Sequence, residues 1–207
     1  KEMSEQVQVD EANAWRLKSP GTADWPRTAR PDDPDKYLMV SADTHANEPA
    51  DFWQTRIEPK YRERVPHVRI DEKGDRWSVT EGNRPTKIRI AAMVGQDQER
   101  NSVGATIEGR AADHKRDGID AEIIFPNKGL AMWATPDPEL AMAGCRVWND
   151  WAWETFGPHN DTMSPMACLA TGDIPGTMAE IERTANMGFR GLTMPCKPIF
   201  GSHDVDD

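Results

Sequence analysis

Four short apolar segments alternate with stretches of helical periodicity, and this alternation constrains the fold more than any other feature of the sequence. The apolar segments cover residues 37–45, 121–126, 163–170 and 189–195. Strands separated by helices of about 12 to 20 residues form βαβ units, because each helix carries the chain back over one face of a parallel sheet. The sequence therefore predicts an α/β fold with four parallel strands.

Two of the intervening helices have clear start signals. Asp137-Pro138 offers an N-cap side chain followed by a proline in the first turn, and Asp173 with Pro175 offers the same combination later in the chain. The second helix ends near Gly188, and its predicted core positions are Met178, Ile181 and Ala185. The first helix is predicted to bury one apolar face, made of Leu140, Ala143, Val147, Trp148, Trp151 and Phe156.

The segments outside these βαβ units have a different composition and hydrophobic pattern. Residues 1–36 are rich in proline and charge and predict an extended N-terminal arm, followed by the main domain at 37–207. Residues from about 50 to 106 predict an insertion. Within it, apolar residues alternate on both sides of a Lys73-Gly74 turn, which indicates a β-hairpin, and residues 92–106 predict a loop.

Composition and charge exclude several classes of function. The chain has 35 acidic and 25 basic residues, a net charge of −10, and no cluster of Lys and Arg interleaved with aromatics, so a nucleic-acid partner is not expected. Its apolar runs are too short to span a membrane. The three cysteines lack the spacing of a zinc or redox motif. Reduced thiols in a cytoplasmic protein are therefore predicted.

The first strand ends in two groups that are costly to bury, Asp43 and His45. Alternation along a strand puts Met39, Ser41, Asp43 and His45 on one face, at the carboxyl end where α/β folds bind ligands. From the residues alone three interpretations stay open. The two groups are ligands of one divalent metal, an acid–base pair, or a hydrogen bond that closes the strand.

A series of motifs in the same order resembles the amidohydrolase-related family typified by aminocarboxymuconate-semialdehyde decarboxylase. The motifs are "SADTHANEPADFW", "RDGIDAEIIFPN", "VWNDWAWETF" and "ACLATGDIPGTMAEIERTANMGFRGLTMP", and they span about 37 to 195. The resemblance implies a metal-dependent (β/α)8 TIM barrel. It also implies that Asp43 and His45 match the ligand pair of the family's first strand, with zinc as the expected ion and manganese as the alternative.

The chain departs from the family in ending 12 residues after the fourth strand. The family's further ligands and catalytic groups lie on later strands, and His203 comes too early to match them. The expectation is therefore the first four β/α units of a barrel, half a metal site and no identified catalytic base. Three sources of the other half stay open: a second polypeptide in a hetero-oligomer, which is preferred, a further segment of the same polypeptide, or a second copy of this chain.

Five further residues are candidates for contact with a small-molecule substrate. Asn127 and Lys128 follow the second strand and Lys197 follows the fourth, so all three belong at the mouth of a barrel. Trp133 either lines an apolar pocket or packs one loop on another. Glu48 either reaches the metal or substrate, or it caps the next segment.

The resemblance implies a hydrolase that acts on a small amide, ester or thioester through a metal-activated water. One alternative is non-oxidative decarboxylation of a small aromatic or unsaturated acid on the same metal. Another is a partner subunit that keeps the shape of the half barrel without its chemistry.

Overall fold

The computed structural model of the chain describes residues 39–49, 51–88 and 106–197. The predicted N-terminal arm at 1–36, all but the last residue of the predicted loop at 92–106, and His203 lie outside the described residues. Within the described ranges, every helix is too short or too polar to span a lipid bilayer.

The described chain alternates strands with α-helices and short 3₁₀ segments. In chain order the elements are β1 (Val40–Ala46), α1 (Phe52–Arg56), a 3₁₀ turn (Pro59–Tyr61), β2 (His67–Ile70), β3 (Arg76–Val79), β4 (Thr86–Lys87), α2 (Ile107–Asp117), β5 (Ala121–Pro126), a 3₁₀ segment (Lys128–Ala134), α3 (Pro138–Phe156), a 3₁₀ turn (Gly157–His159), β6 (Met163–Pro165), β7 (Ala167–Cys168), α4 (Ile174–Met187) and β8 (Leu192–Thr193).

The four predicted strands are present and run parallel. β5 pairs with β1 on one side and with β6 on the other, and β7 pairs with β8. The segment predicted as one strand at 163–170 is divided at Met166, whose backbone N–H donates to Ile124 O on β5, whereas the N–H of Ala167 donates to Gly191 O before β8. One segment thus changes neighbours along its length, which keeps the strands in chain order across the sheet.

A β-bulge interrupts β1 where the sequence predicts regular alternation. Ser41 pairs with Glu122 and Thr44 pairs with Ile124, so three steps along β1 oppose two steps along β5. The prediction that Ser41 shares the face of Asp43 is therefore wrong, because the extra residue shifts the alternation and puts Ser41 on the face of buried Glu122. Bulges re-aim side chains, and this one directs Asp43 and His45 to the opposite, open face.

Helix α3 forms the centre of the core. The Asp137 carboxylate accepts hydrogen bonds from the N–H groups of Glu139 and Leu140, as its predicted N-cap role requires. Trp148 and Phe156 are almost completely buried, and burying a side chain of this size stabilises a fold by roughly 1.5–3 kcal/mol. The predicted apolar face of α3 is confirmed in part, since Leu140, Trp148 and Phe156 are buried, whereas Ala143, Val147 and Trp151 are half-buried.

Helix α4 is oriented differently from its prediction. Its buried residues are Thr177, Glu180 and Thr184, while Met178 is 55% exposed. The buried Glu180 carboxylate is satisfied by α3 and by α4 itself: Asn149 Nδ2 donates to Oε1 at 2.8 Å, Arg146 Nε donates to Oε2 at 3.0 Å, and Arg183 donates to both oxygens. Hydrogen bonding therefore decided the orientation, whereas the sequence prediction considered only apolar periodicity.

A separate antiparallel sheet lies between α1 and α2 in sequence. β2 pairs with β3, and β3 pairs with β4. Gly74 forms the turn between β2 and β3 with a φ of +82°, a left-handed conformation that glycine adopts without strain. Arg64 ties this region to the start of α3, since its guanidinium binds both Glu81 and Asp137.

Candidate functional site

Asp43 and His45 converge on the open face at the carboxyl end of β1. His45 Nε2 lies 3.5 Å from Asp43 Oδ1, and the two side chains are 41% and 89% exposed. The other ring nitrogen, Nδ1, lies 2.8 Å from the backbone carbonyl of Pro126, which can only accept. Nδ1 therefore carries the proton, and in the neutral ring Nε2 presents a lone pair toward the Asp43 carboxylate.

This arrangement fits a divalent metal ion. Two ligands bound at about 2.05 Å in a tetrahedral zinc site stand about 3.4 Å apart, close to the observed separation. A histidine that binds metal through one nitrogen usually donates its other N–H to a carbonyl or carboxylate, as His45 does. No group of three or more His, Cys, Asp and Glu side chains with metal-site geometry occurs among residues 39–49, 51–88 and 106–197. The described chain thus offers two candidate ligands, and their role stays a prediction.

A buried ion cluster lies directly behind this pair. Arg110, in the first turns of α2, donates through Nε and Nη2 to both carboxylate oxygens of Glu122 on β5, at 2.7 and 2.8 Å. The same guanidinium donates to the backbone carbonyl of His45 at 3.2 Å and to the hydroxyl of Thr44 at 3.4 Å. One arginine therefore joins a helix, the neighbouring strand and the end of β1.

Glu122 is ionised in this cluster. Burial alone would raise the pKa of its carboxyl, but contacts from His114 and Arg110 outweigh burial and lower the pKa from 4.5 to about 2. His114 Nε2 lies 3.2 Å from Glu122 Oε1, although the contact lacks the geometry of a hydrogen bond. The carboxylate is thus a permanent anion under Arg110 at neutral pH.

Glu48 has a structural function in this arrangement. Its side chain is only 4% exposed, and its two oxygens accept hydrogen bonds from the backbone N–H groups of Lys128 and Gly129 at 3.0 and 2.9 Å. The carboxylate thereby holds the 3₁₀ segment after β5 against the loop after β1. The sequence-based alternative, a cap on the segment that directly follows Glu48, is not seen, since α1 has no side-chain cap and Glu48 caps a segment about 80 residues later. Contact with metal or substrate stays a prediction.

The other predicted substrate contacts lie after strand ends. Asn127 is exposed and donates through Nδ2 to Asn47 Oδ1, one residue beyond the carbonyl that holds His45. The Trp133 indole N–H donates to Leu169 O at 2.8 Å, which fixes the half-buried ring at the end of β7. Lys128 and Lys197 are exposed. No contact here tests substrate binding by these residues.

Three residues of the site were not predicted from the sequence. Asn47 and Arg110 carry no local pattern, since each acts on a residue about 65 to 80 positions away. Glu122 did carry a signal: it is a carboxylate at an inward position of the strand "AEIIFP", and a buried charge needs a partner. That signal points to a buried cation behind β5, which is the position of Arg110.

Comparison with known proteins supports the fold. An amidohydrolase from Mycobacterium avium subsp. paratuberculosis K-10 superposes with a TM-score of 0.63 at 17% sequence identity, covering 81% of this chain and 51% of that chain. A 2,6-dihydroxybenzoate decarboxylase from Rhizobium gives a TM-score of 0.45 at 17% identity, covering 79% and 42%, too low a score to carry an argument. No protein-family profile matches the sequence, and no curated protein matches it significantly.

The similarity to the mycobacterial amidohydrolase is a similarity of fold. The resemblance seen in the sequence motifs is confirmed at that level, since a solved amidohydrolase shares the arrangement of parallel strands and helices. The chain spans about half the length of that structure.

Proposed function

We propose that this chain is the N-terminal half of a metal-dependent hydrolase of the amidohydrolase superfamily, acting on a small amide, ester or thioester. The observation that carries the proposal is the pairing of Asp43 Oδ1 with His45 Nε2 at 3.5 Å, with the ring oriented by the Pro126 carbonyl. Zinc is the preferred ion and manganese the alternative, since both accept one oxygen and one imidazole ligand.

The chain's own residues would hold and orient the reacting groups. Asp43 and His45 would supply two ligands, and the bound ion would supply a water of lowered pKa and polarise the substrate carbonyl. The Pro126 carbonyl keeps the proton on Nδ1, so Nε2 stays available as a ligand. Asn127 and Lys128 would orient polar groups of the substrate, and the residue that moves the proton would come from later strands.

We further propose that a second polypeptide supplies the remaining strands, in a hetero-oligomer. Within the described residues, β1 pairs only with β5 and β8 pairs only with β7, so one edge of each strand is available. Leu192 and Met194, at the β8 end of the sheet, are 41% and 45% exposed. Open strand edges beside apolar side chains are typical of a surface that further strands complete, and we assign those strands to a second chain.

Metal analysis of the purified native assembly tests the proposal. The expected result is about one zinc or manganese per copy of the chain, lost in the double variant Asp43→Ala/His45→Ala. A matched control is His159→Ala/Asp161→Ala, which removes an exposed histidine and aspartate at the same spacing elsewhere in the chain. Metal content and activity that are equal in all three proteins would refute the metal role and favour a non-catalytic subunit.

Product analysis then separates hydrolysis from decarboxylation on the same site. A hydrolase incorporates ¹⁸O from labelled water into the acid product of an amide, ester or thioester panel. Release of carbon dioxide from aromatic or unsaturated acids, without such incorporation, would replace the hydrolase proposal with the lyase alternative. Both activities should depend on Asp43 and His45, because either reaction would use the same ion.

A further inference from the structure

We infer that Arg110 is a positioning residue for the Asp43–His45 pair, an inference that rests on the proposed metal site. Its guanidinium, bound to Glu122 on β5, fixes the backbone at the bulged end of β1 and thereby sets where the two metal ligands point. Arg110 does not itself approach the open face, so it would act through the backbone and not on the substrate.

The first step of the argument is the number of groups that one side chain holds. The Arg110 side chain is 11% exposed and its carboxylate partner is 4% exposed. Two of its hydrogen bonds form a bidentate pair with Glu122, which already satisfies the buried anion. The remaining donor, Nη1, is directed at the backbone carbonyl of His45, one of the two proposed ligands.

The second step is the weakness of the strand at this point. The bulge puts Ala42 and Asp43 opposite Ile123 alone, so one residue of β1 lacks a regular partner in the β1–β5 ladder. Just after the bulge, the Thr44 hydroxyl donates to Ile123 O at 2.8 Å and accepts from Arg110 Nη2. Side chains thus replace backbone pairing where the ligand pair is attached.

The third step is what remains free at His45. The Pro126 carbonyl holds the ring at Nδ1, and Arg110 holds the main-chain carbonyl. Of the polar side-chain atoms of His45, only Nε2 is left, facing Asp43. A ligand fixed at both its backbone and its ring can bind an ion without being ordered first. Partners of the ligating side chain itself are typically worth roughly 10- to 100-fold in metal affinity, and the lower end is expected for Arg110, which acts through the backbone.

Two variants test the inference on the full assembly. Arg110→Lys keeps the charge for Glu122 but lacks the planar fork that reaches three groups. Arg110→Gln/Glu122→Gln removes both buried charges together, so it leaves no unpaired ion and remains informative if the first variant fails to fold. The matched control is Arg116→Gln, which removes an exposed arginine of the same helix, paired with Asp113 and Asp117.

The measurements are the Co²⁺ dissociation constant by chelator competition and the visible spectrum of the bound Co²⁺, with thermal unfolding of the metal-free protein in parallel. We expect both test variants to bind Co²⁺ about tenfold more weakly or worse, with a shifted spectrum and a retained unfolding transition. Arg116→Gln should match the wild type. An unchanged Co²⁺ affinity and spectrum in the test variants would overturn the inference. A loss of Co²⁺ affinity confined to variants whose metal-free form no longer shows an unfolding transition would overturn it as well.

The outcomes separate this inference from the proposed function. If the Asp43→Ala/His45→Ala variant binds Co²⁺ as tightly as the wild-type assembly does, the metal site itself is refuted, and the positioning role with it. Binding that requires Asp43 and His45 but is indifferent to Arg110 would refute only the positioning role.

Discussion

The Glu122 carboxylate should make the stability of the protein depend on pH in a defined acidic window. Burial alone would raise the pKa of this group, but His114 and Arg110 lower it from 4.5 to about 2 in the folded protein. A carboxyl whose pKa is lower in the folded protein than in the unfolded chain stabilises the fold. This contribution is complete at pH values above the pKa of the unfolded chain. That contribution is lost as the pH falls from about 4.5 toward 2.

The magnitude follows from the two pKa values. A shift from 4.5 to about 2 corresponds to about 3 kcal/mol in the free energy of unfolding when the group is fully ionised. Proton linkage then gives a loss of about 0.8 kcal/mol by pH 4 and about 2 kcal/mol by pH 3. With a urea m-value of about 2 kcal/mol per molar, the loss of about 2 kcal/mol at pH 3 lowers the urea concentration at the unfolding midpoint by about 1 M.

Urea unfolding of the wild type and of Glu122→Gln, at steps from pH 5 to pH 3, isolates this contribution from that of other carboxylates. The variant should be less stable by up to about 3 kcal/mol at pH 5, and the difference from wild type should shrink by about 2 kcal/mol at pH 3. Glu182→Gln, at an exposed position of α4, is the control and should follow the wild type. A difference that stays constant from pH 5 to pH 3 would refute the reasoning.

Three further substitutions have outcomes fixed by single contacts. Asn149→Ala should cost about 3 kcal/mol or more in urea unfolding, because it leaves the buried Cys168 N–H and C=O without their Asn149 partner and removes one of the two donors to Glu180 Oε1, the other being Arg183; a cost below 1 kcal/mol would contradict this. Gly188→Ala should cost more than about 1 kcal/mol by thermal unfolding, since φ is +116° and the new Cβ would lie 2.6 Å from the ring of Trp153. Glu48→Gln should lower the free energy of unfolding in urea by about 1 kcal/mol, because it weakens the two hydrogen bonds to the segment after β5. A change in KM without this loss of stability would instead support the predicted substrate contact of Glu48.

The strands and helix starts of this fold were predictable because their signals are local. The apolar run "AEIIFP" became β5 over the predicted residues, and the Asp137-Pro138 start of α3 has the predicted cap. Both features depend on residues within a few positions of one another, where intrinsic preferences and capping hydrogen bonds act. The Asp43–His45 approach belongs to the same class, since the two residues lie two positions apart.

The features that the sequence did not predict depend on partners far along the chain. The bulge in β1 is defined only by its register against β5, about 80 residues later. The orientation of α4 follows from Asn149 and Arg146 on α3, which satisfy Glu180 and make a polar face the buried one. Apolar periodicity cannot predict either feature, because the deciding hydrogen bonds join segments whose proximity is itself a result of folding.

The exposure of the Asp43–His45 pair links metal binding to the completion of the barrel. In the described chain the two side chains are 89% and 41% exposed, so water solvates the carboxylate and Nε2 at little cost. A second half that covered this face would remove that water and bury the carboxylate beside the imidazole, which is costly unless a cation between the two atoms, a proton on Nε2 or a metal ion, compensates the negative charge. A divalent ion between the two atoms removes that cost. In the proposed assembly, metal binding and association of the two halves should therefore favour each other, because each makes the other less costly.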